Sequence, residues 1–140
     1  MTSAEIESHA HEQGLALFLK PNRRDRFRLA MKDPRVRGEL RAELAHFERR
    51  LDPRHAHPRG TRARHERHFD SLYLLLVEAG APATCFVVSD GVLDGRRMSL
   101  REAVEQLTRS GAGFISCIPG RLGLYVGEKG SSVFLLSRER

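Results

Sequence analysis

Apolar residues recur at helical spacing in the first half of this chain and gather into short continuous runs in the second. Thr2 followed by Glu5 is a capping-box start, and it predicts a first helix from Ser3 to about Lys20 with Ile6, Ala10, Leu17 and Phe18 available to a core. Pro21 ends that segment, and Asn22 caps a second helix reaching Lys32. Asp33-Pro34 opens a third helix, because Asp accepts first-turn amides and Pro tolerates the first helical position. Val36, Leu40, Leu44, Phe47 and Leu51 then follow at intervals of 4, 4, 3 and 4, a single stripe that must face a core. The stripe is expected to pack against a fourth helix. That helix runs from about Thr61 to Ala79, burying Phe69, Leu72, Tyr73, Leu76 and Val77, with Gly80 as its C-terminal cap and Pro82 just beyond. Between the two, Asp52 to His68 holds no apolar residue larger than alanine and begins as a loop.

Beyond Gly80 the period changes. Ala83 to Ser89 reads as a fully buried strand, and Ser99 with Glu102 caps a helix whose inner face is Leu100, Ala103, Val104 and Leu107. Gly113 to Ile118, Leu122 to Val126 and Ser131 to Ser137 are three further strands joined by Pro-Gly and Gly-containing turns. The predicted fold is a single α+β domain spanning residues 1–140, helical and basic over 1–80 and sheet-forming with one helix over 81–140. About four N-terminal helices pack on one face of a small mixed sheet of about four strands. The helix from Ser99 to Ser110 is a crossover that makes the first strand parallel to a partner.

The two halves also differ in charge. Lys20 to His68 carries 16 basic against 7 acidic side chains, whereas Ser71 to Arg140 carries 8 against 7, and all 7 histidines precede Asp70. Whatever field the protein presents comes from its helical half. Only 3 of the 24 basic residues are lysines, a bias that a GC-rich genome also produces, and many of the acidic residues lie one helical turn from an arginine.

The two cysteines, Cys85 and Cys117, sit in apolar runs, as small buried hydrophobes do, and not in a disulfide framework. The polar, acidic N-terminal segment lacks the basic start and apolar stretch of a signal peptide, and no run approaches the roughly 20 apolar residues of a membrane span. A cytoplasmic protein with no membrane association is the expectation.

Candidate chemistry concentrates between Arg54 and His68. Arg54, Arg59, Arg62, Arg64 and Arg67 form the densest positive segment, and the planar guanidinium matches phosphate oxygens two at a time. They are the candidate polyanion-binding residues, although no aromatic interleaves with them before Phe69 to stack a base. His55, His57, His65 and His68 would suit zinc by residue type, but their spacing matches no metal motif and five arginines surround them, so no metal is assigned. Cys117 is the one candidate nucleophile, at a strand end beside Pro119-Gly120, with every histidine in the other half. Asp90-Gly91 and Asp94-Gly95 suit tight turns better than a calcium loop. Phosphate-loop, kinase, hydrolase-elbow and zinc-protease signatures are missing from the sequence, and nothing in it calls for a cofactor or assigns a catalytic residue.

Three functions remain. The leading one is a non-catalytic basic module binding nucleic-acid backbone through an Arg-rich helical face from Arg23 to Arg67. The alternative is a protein-interaction module, such as an adaptor, inhibitor or immunity-like protein, docking an acidic partner. The third is a small enzyme built on Cys117 or the histidine cluster.

Overall fold

A computed structural model of the chain describes residues 2–59, 66–128 and 131–138, and of 66–68 the backbone alone. Among these residues five α-helices and six strands follow in the order α1 (Ser3–Leu15), α2 (Arg24–Lys32), α3 (Pro34–Glu43), β1 (Ala56–Arg59), α4 (Glu66–Glu78), β2 (Thr84–Ser89), β3 (Arg97–Ser99), α5 (Leu100–Ser110), β4 (Gly113–Ile118), β5 (Leu122–Val126) and β6 (Val133–Ser137). Short 3₁₀ turns lie between α1 and α2 and between α3 and β1.

The caps are those the side chains dictate. Thr2 accepts from the Glu5 amide, Asp33 from Arg35 and Ser99 from Glu102, each satisfying a first-turn donor. Gly80 closes α4 at φ 103°, a left-handed conformation that costs glycine nothing. Arg23, and not Asn22, stands at the N-cap of α2, with a 3₁₀ turn over Pro21–Arg23 in place of the expected first helical turn. The first helix ends at Leu15, five residues before Lys20, because the chain tightens through Ala16–Phe18 and extends at Leu19.

The six strands form one sheet in the order β1-β6-β5-β4-β2-β3, and every neighbouring pair is antiparallel. The expected mixed sheet of about four strands is therefore corrected on two counts. β1 falls inside the supposed loop, and the three-residue β3 precedes the helix cap at Ser99. With β3 present, α5 carries the chain from β3 to β4, which lie on either side of β2 and run the same way. The crossover exists, but β2 is antiparallel to both its neighbours.

Alternate residues of the strands feed two cores. Phe86, Val88, Phe114, Tyr125 and Leu136 face α1, α2 and α3, while Cys85, Val87, Ile115, Cys117, Leu124 and Leu135 face α4 and α5. Both faces of the sheet are covered, and this is why its strands read as unbroken apolar runs instead of an alternation. The stripe from Val36 to Leu51 is buried as expected. Its partners are Phe27, Phe114 and Tyr125 and not the fourth helix, which packs with α5 on the opposite face. Phe114 stands at the centre of the first core, meeting Phe27 and Phe47 edge to face at 5.8 and 5.7 Å between ring centroids, a favoured aromatic arrangement. Tyr125 ties the end of α3 to the sheet: its hydroxyl donates to the Leu44 carbonyl at 2.7 Å and accepts from the Phe47 amide at 2.9 Å.

Two helix faces differ from expectation. Ile6 and Ala10 are exposed, and α1 instead buries His11, Gly14 and Leu15. On α4, Phe69, Leu72 and Leu76 are buried, but Val77 is 41% exposed and Tyr73 half-buried. No described helix is long and apolar enough to cross a membrane.

Candidate anion-binding face

Leu19 and Leu51, 32 positions apart, pair as an isolated antiparallel bridge. Around it the Lys20 amide donates to the Arg50 carbonyl at 2.9 Å and the Asp52 amide to the Phe18 carbonyl at 2.8 Å. The bridge forms because both leucines are fully apolar and sit where a helical segment has just given way to extended chain, at Pro21 on one side and Asp52-Pro53 on the other. Its consequence is electrostatic. Arg23 and Arg26 come to share a cleft with Arg50, and Arg24 and Arg54 to share Asp52.

Only some of these charges are neutralised. Arg24 lies 3.8 Å from Asp52 and donates its Nε to the Leu19 carbonyl at 3.0 Å, bracing the bridge. Asp52 itself is buried and receives the Arg54 guanidinium at 2.9 Å together with the Arg54 amide at 3.0 Å. The Arg54 bond, against the opposing effect of burial, holds the Asp52 carboxyl down at about 2. Arg26 reaches Glu39 and Glu43 at 3.4 and 3.3 Å, and Arg50 reaches Glu43 at 2.9 Å. Partial burial pushes the Glu43 carboxyl up, but the bonds from Arg50 and then Arg26 prevail and hold it below its usual value, so it stays ionised. Lys20, Arg23 and Arg49 are exposed and make no ion pair with a described residue.

A cleft of about 270 Å³ opens within this face. Its floor is Phe27, Leu40 and Phe47, and Arg23, Arg26, Glu43 and Arg50 form its rim. The Arg50 guanidinium carbon lies 4.8 Å from the centre of the Phe47 ring, a cation–π contact. Arginines and aromatics are therefore associated here, although the segment singled out from sequence lacks aromatics. The signal was present one turn away on each side: Arg23 precedes Phe27 by four residues and Arg50 follows Phe47 by three.

The face continues along β1, the edge strand beyond β6, where His57, Pro58 and Arg59 are exposed. Of the sequence candidates, Arg54 is committed to Asp52 and Arg59 ends this strand. Arg62, Arg64 and His65 lie outside the described residues, as do the side chains of Arg67 and His68. His55 is partly covered, and burial lowers its pKa, with Arg138, Arg54 and Arg24 adding to that effect against Asp52. Among the described residues no three His, Cys, Asp or Glu side chains converge to hold a metal ion.

Other candidate chemistry is absorbed by the core. Cys117 and Cys85 are free and buried. Burial pushes the Cys85 thiol up to about 12 and raises that of Cys117 as well, with Cys85 adding to the effect, which is the reverse of an activated nucleophile. Asp94 takes Arg37 in a two-point contact at 2.9 and 3.0 Å and accepts the Ser89 amide. Glu12 of α1 meets the same guanidinium, so Arg37 clamps α1, α3 and the loop before β3. His11, unremarkable in the sequence, is buried with its Nδ1 2.6 Å from Ser116 Oγ and its ring stacked on Phe86. Ser116 is fully buried, so this pair seals α1 onto the sheet and is closed to a substrate.

Comparison with protein-family models, curated proteins and solved structures gives no match.

Proposed function

We propose that this chain is a non-catalytic module that binds the phosphate backbone of nucleic acid through its arginine-rich helical half. The observation that carries the reading is the gathering of two distant basic segments at the Leu19–Leu51 bridge, leaving exposed cations without acidic partners among the described residues. Here Asp52 and Glu43 hold some arginines in fixed orientation, and Lys20, Arg23 and Arg49 remain for an external anion. Arg59, exposed at the end of the β1 edge strand, would extend the contact, and the sequence candidates Arg62, Arg64 and Arg67 are proposed to join it.

Such binding reads charge spacing and little base sequence, and it weakens steeply with salt as counterions are released. Fluorescence anisotropy with mixed-sequence RNA and DNA over a salt series tests it. Affinity that is similar across sequences and survives an excess of acidic protein supports a nucleic-acid partner. Displacement by the acidic protein at equal charge supports docking to an acidic protein instead.

A further inference from the structure

The cleft on this face has more structure than backbone binding requires. Three guanidinium groups surround an apolar floor, and the Arg50 guanidinium carbon stands 4.8 Å over the centre of the Phe47 ring. Resting on the nucleic-acid reading above, we propose that this cleft receives a single nucleoside monophosphate unit, its phosphate between Arg23 and Arg26 and its base on the outer face of the Arg50 guanidinium.

Arg23 and Arg26 are three residues apart and so project from the same side at the start of α2, the spacing that lets two side chains share one ligand. Arg23 makes no ion pair with a described residue, and Arg26 is steered into the rim by Glu39 and Glu43. A phosphate would take the Arg23 fork, which has no acidic partner among the described residues, and would compete with Glu39 and Glu43 for Arg26. Phe27 and Phe47 are themselves only 1% and 2% exposed and offer no ring face to a base. The stacking surface is instead the Arg50 plane, which Phe47 supports from below and Glu43 holds from the side at 2.9 Å. Bases stack on guanidinium planes in this way when they are unpaired and can be splayed out. The volume, about 270 Å³, accommodates one such unit and not a duplex. The same chemistry is offered by a free nucleotide and by an exposed nucleotide of a single strand.

Calorimetric titration of the full chain with adenosine monophosphate, adenosine and inorganic phosphate tests the site, beside anisotropy with a single-stranded oligonucleotide and its duplex. Saturable binding of the monophosphate, tighter than phosphate and lost in adenosine, is the expected result, together with preference for the single strand. Arg23→Ala is expected to weaken the monophosphate about tenfold, the loss of one charge-assisted contact, while Arg96→Ala on the loop before β3 leaves it unchanged. Arg50→Lys keeps the charge and removes the flat surface, so it should weaken the monophosphate and spare inorganic phosphate. Circular dichroism checks that each variant is folded. Oligonucleotide binding with no saturable monophosphate binding overturns the cleft assignment and leaves the backbone face standing, as does equal loss in Arg23→Ala and Arg96→Ala. Monophosphate binding without oligonucleotide binding overturns the backbone reading and makes a free nucleotide the ligand of the cleft. An Arg50→Lys variant that binds both small ligands normally removes the base from the Arg50 plane.

Discussion

Gly14 of α1 and Gly120 of the β4–β5 turn approach so closely that a Cβ on Gly14 would lie 2.4 Å from the Gly120 nitrogen. Gly120 sits at φ 68°, where the turn needs a glycine, and its backbone is locked between two strands. The first helix therefore docks on the sheet through bare backbone, and His11, one turn earlier, completes the seal on Ser116.

Gly14→Ala should thus destabilise the protein by about 1–3 kcal/mol through overpacking, even though alanine is the better helix former. Gly38 on α3 is the control, with nothing within 4 Å of a Cβ there. Gly38→Ala should stabilise by roughly 0.5–1 kcal/mol. Denaturant unfolding of both variants compares the two, and a neutral Gly14→Ala would mean that α1 is not docked this way.

Phe114 links the sheet to the two segments that carry the basic face, so its removal should loosen both. Phe114→Ala is expected to cost about 3–5 kcal/mol, the range for a fully buried phenyl ring. A loss below about 1 kcal/mol would contradict the packing of Phe27 and Phe47 on this ring.

Much of this core was legible in the sequence. The burial of the stripe from Val36 to Leu51, the caps at Asp33, Ser99 and Gly80, and the buried strands each rest on local periodicity or on one residue's conformational preference and match the expectation, although α3 ends at Glu43, the rest of the stripe follows 3₁₀ turns, and its partner is the sheet and not the fourth helix. The edges of the sheet were not legible. β1 buries only Ala56 and contains Pro58, and β3 is three residues with no apolar alternation, so neither carries a strand signal. Missing β3 is what made a parallel partner for β2 the natural inference. The basic face was hidden for a related reason. The attractive density of arginines from Arg54 to Arg67 is a feature of one window, whereas the observed cluster depends on a pairing between Leu19 and Leu51 that no window contains.

Asp52 gives the face a pH signature. Its carboxyl is held at about 2 in the folded protein, below the ordinary 3.8. A depressed value means that the stabilisation is fully present above pH 3.8 and is lost as the pH falls through about 2. Urea unfolding midpoints measured across that range should therefore fall more steeply for the wild type than for Asp52→Asn, whose amide does not titrate. Parallel pH dependences would show that the Asp52 contact with Arg54 is not formed in solution.

The thiols should be inert in the native state. Cys85 and Cys117 are both 3% exposed, and burial disfavours their thiolates. Labelling by a disulfide reagent at neutral pH should be slow until denaturant is added, when both react. Rapid labelling of Cys117 in the folded protein would restore it as the candidate nucleophile of the third functional reading.

The central claim is that the basic face holds a polyanion. Binding of mixed-sequence RNA and DNA should be measured at about 50 mM salt, where electrostatic association is strongest, and then followed to higher salt. The wild type is predicted to bind both with little sequence preference, and combined replacement of Arg23, Arg49 and Arg59 by alanine should lower the affinity and flatten the salt slope by about one counterion per lost phosphate contact. A wild-type protein with no measurable affinity for either nucleic acid at that salt concentration would contradict it.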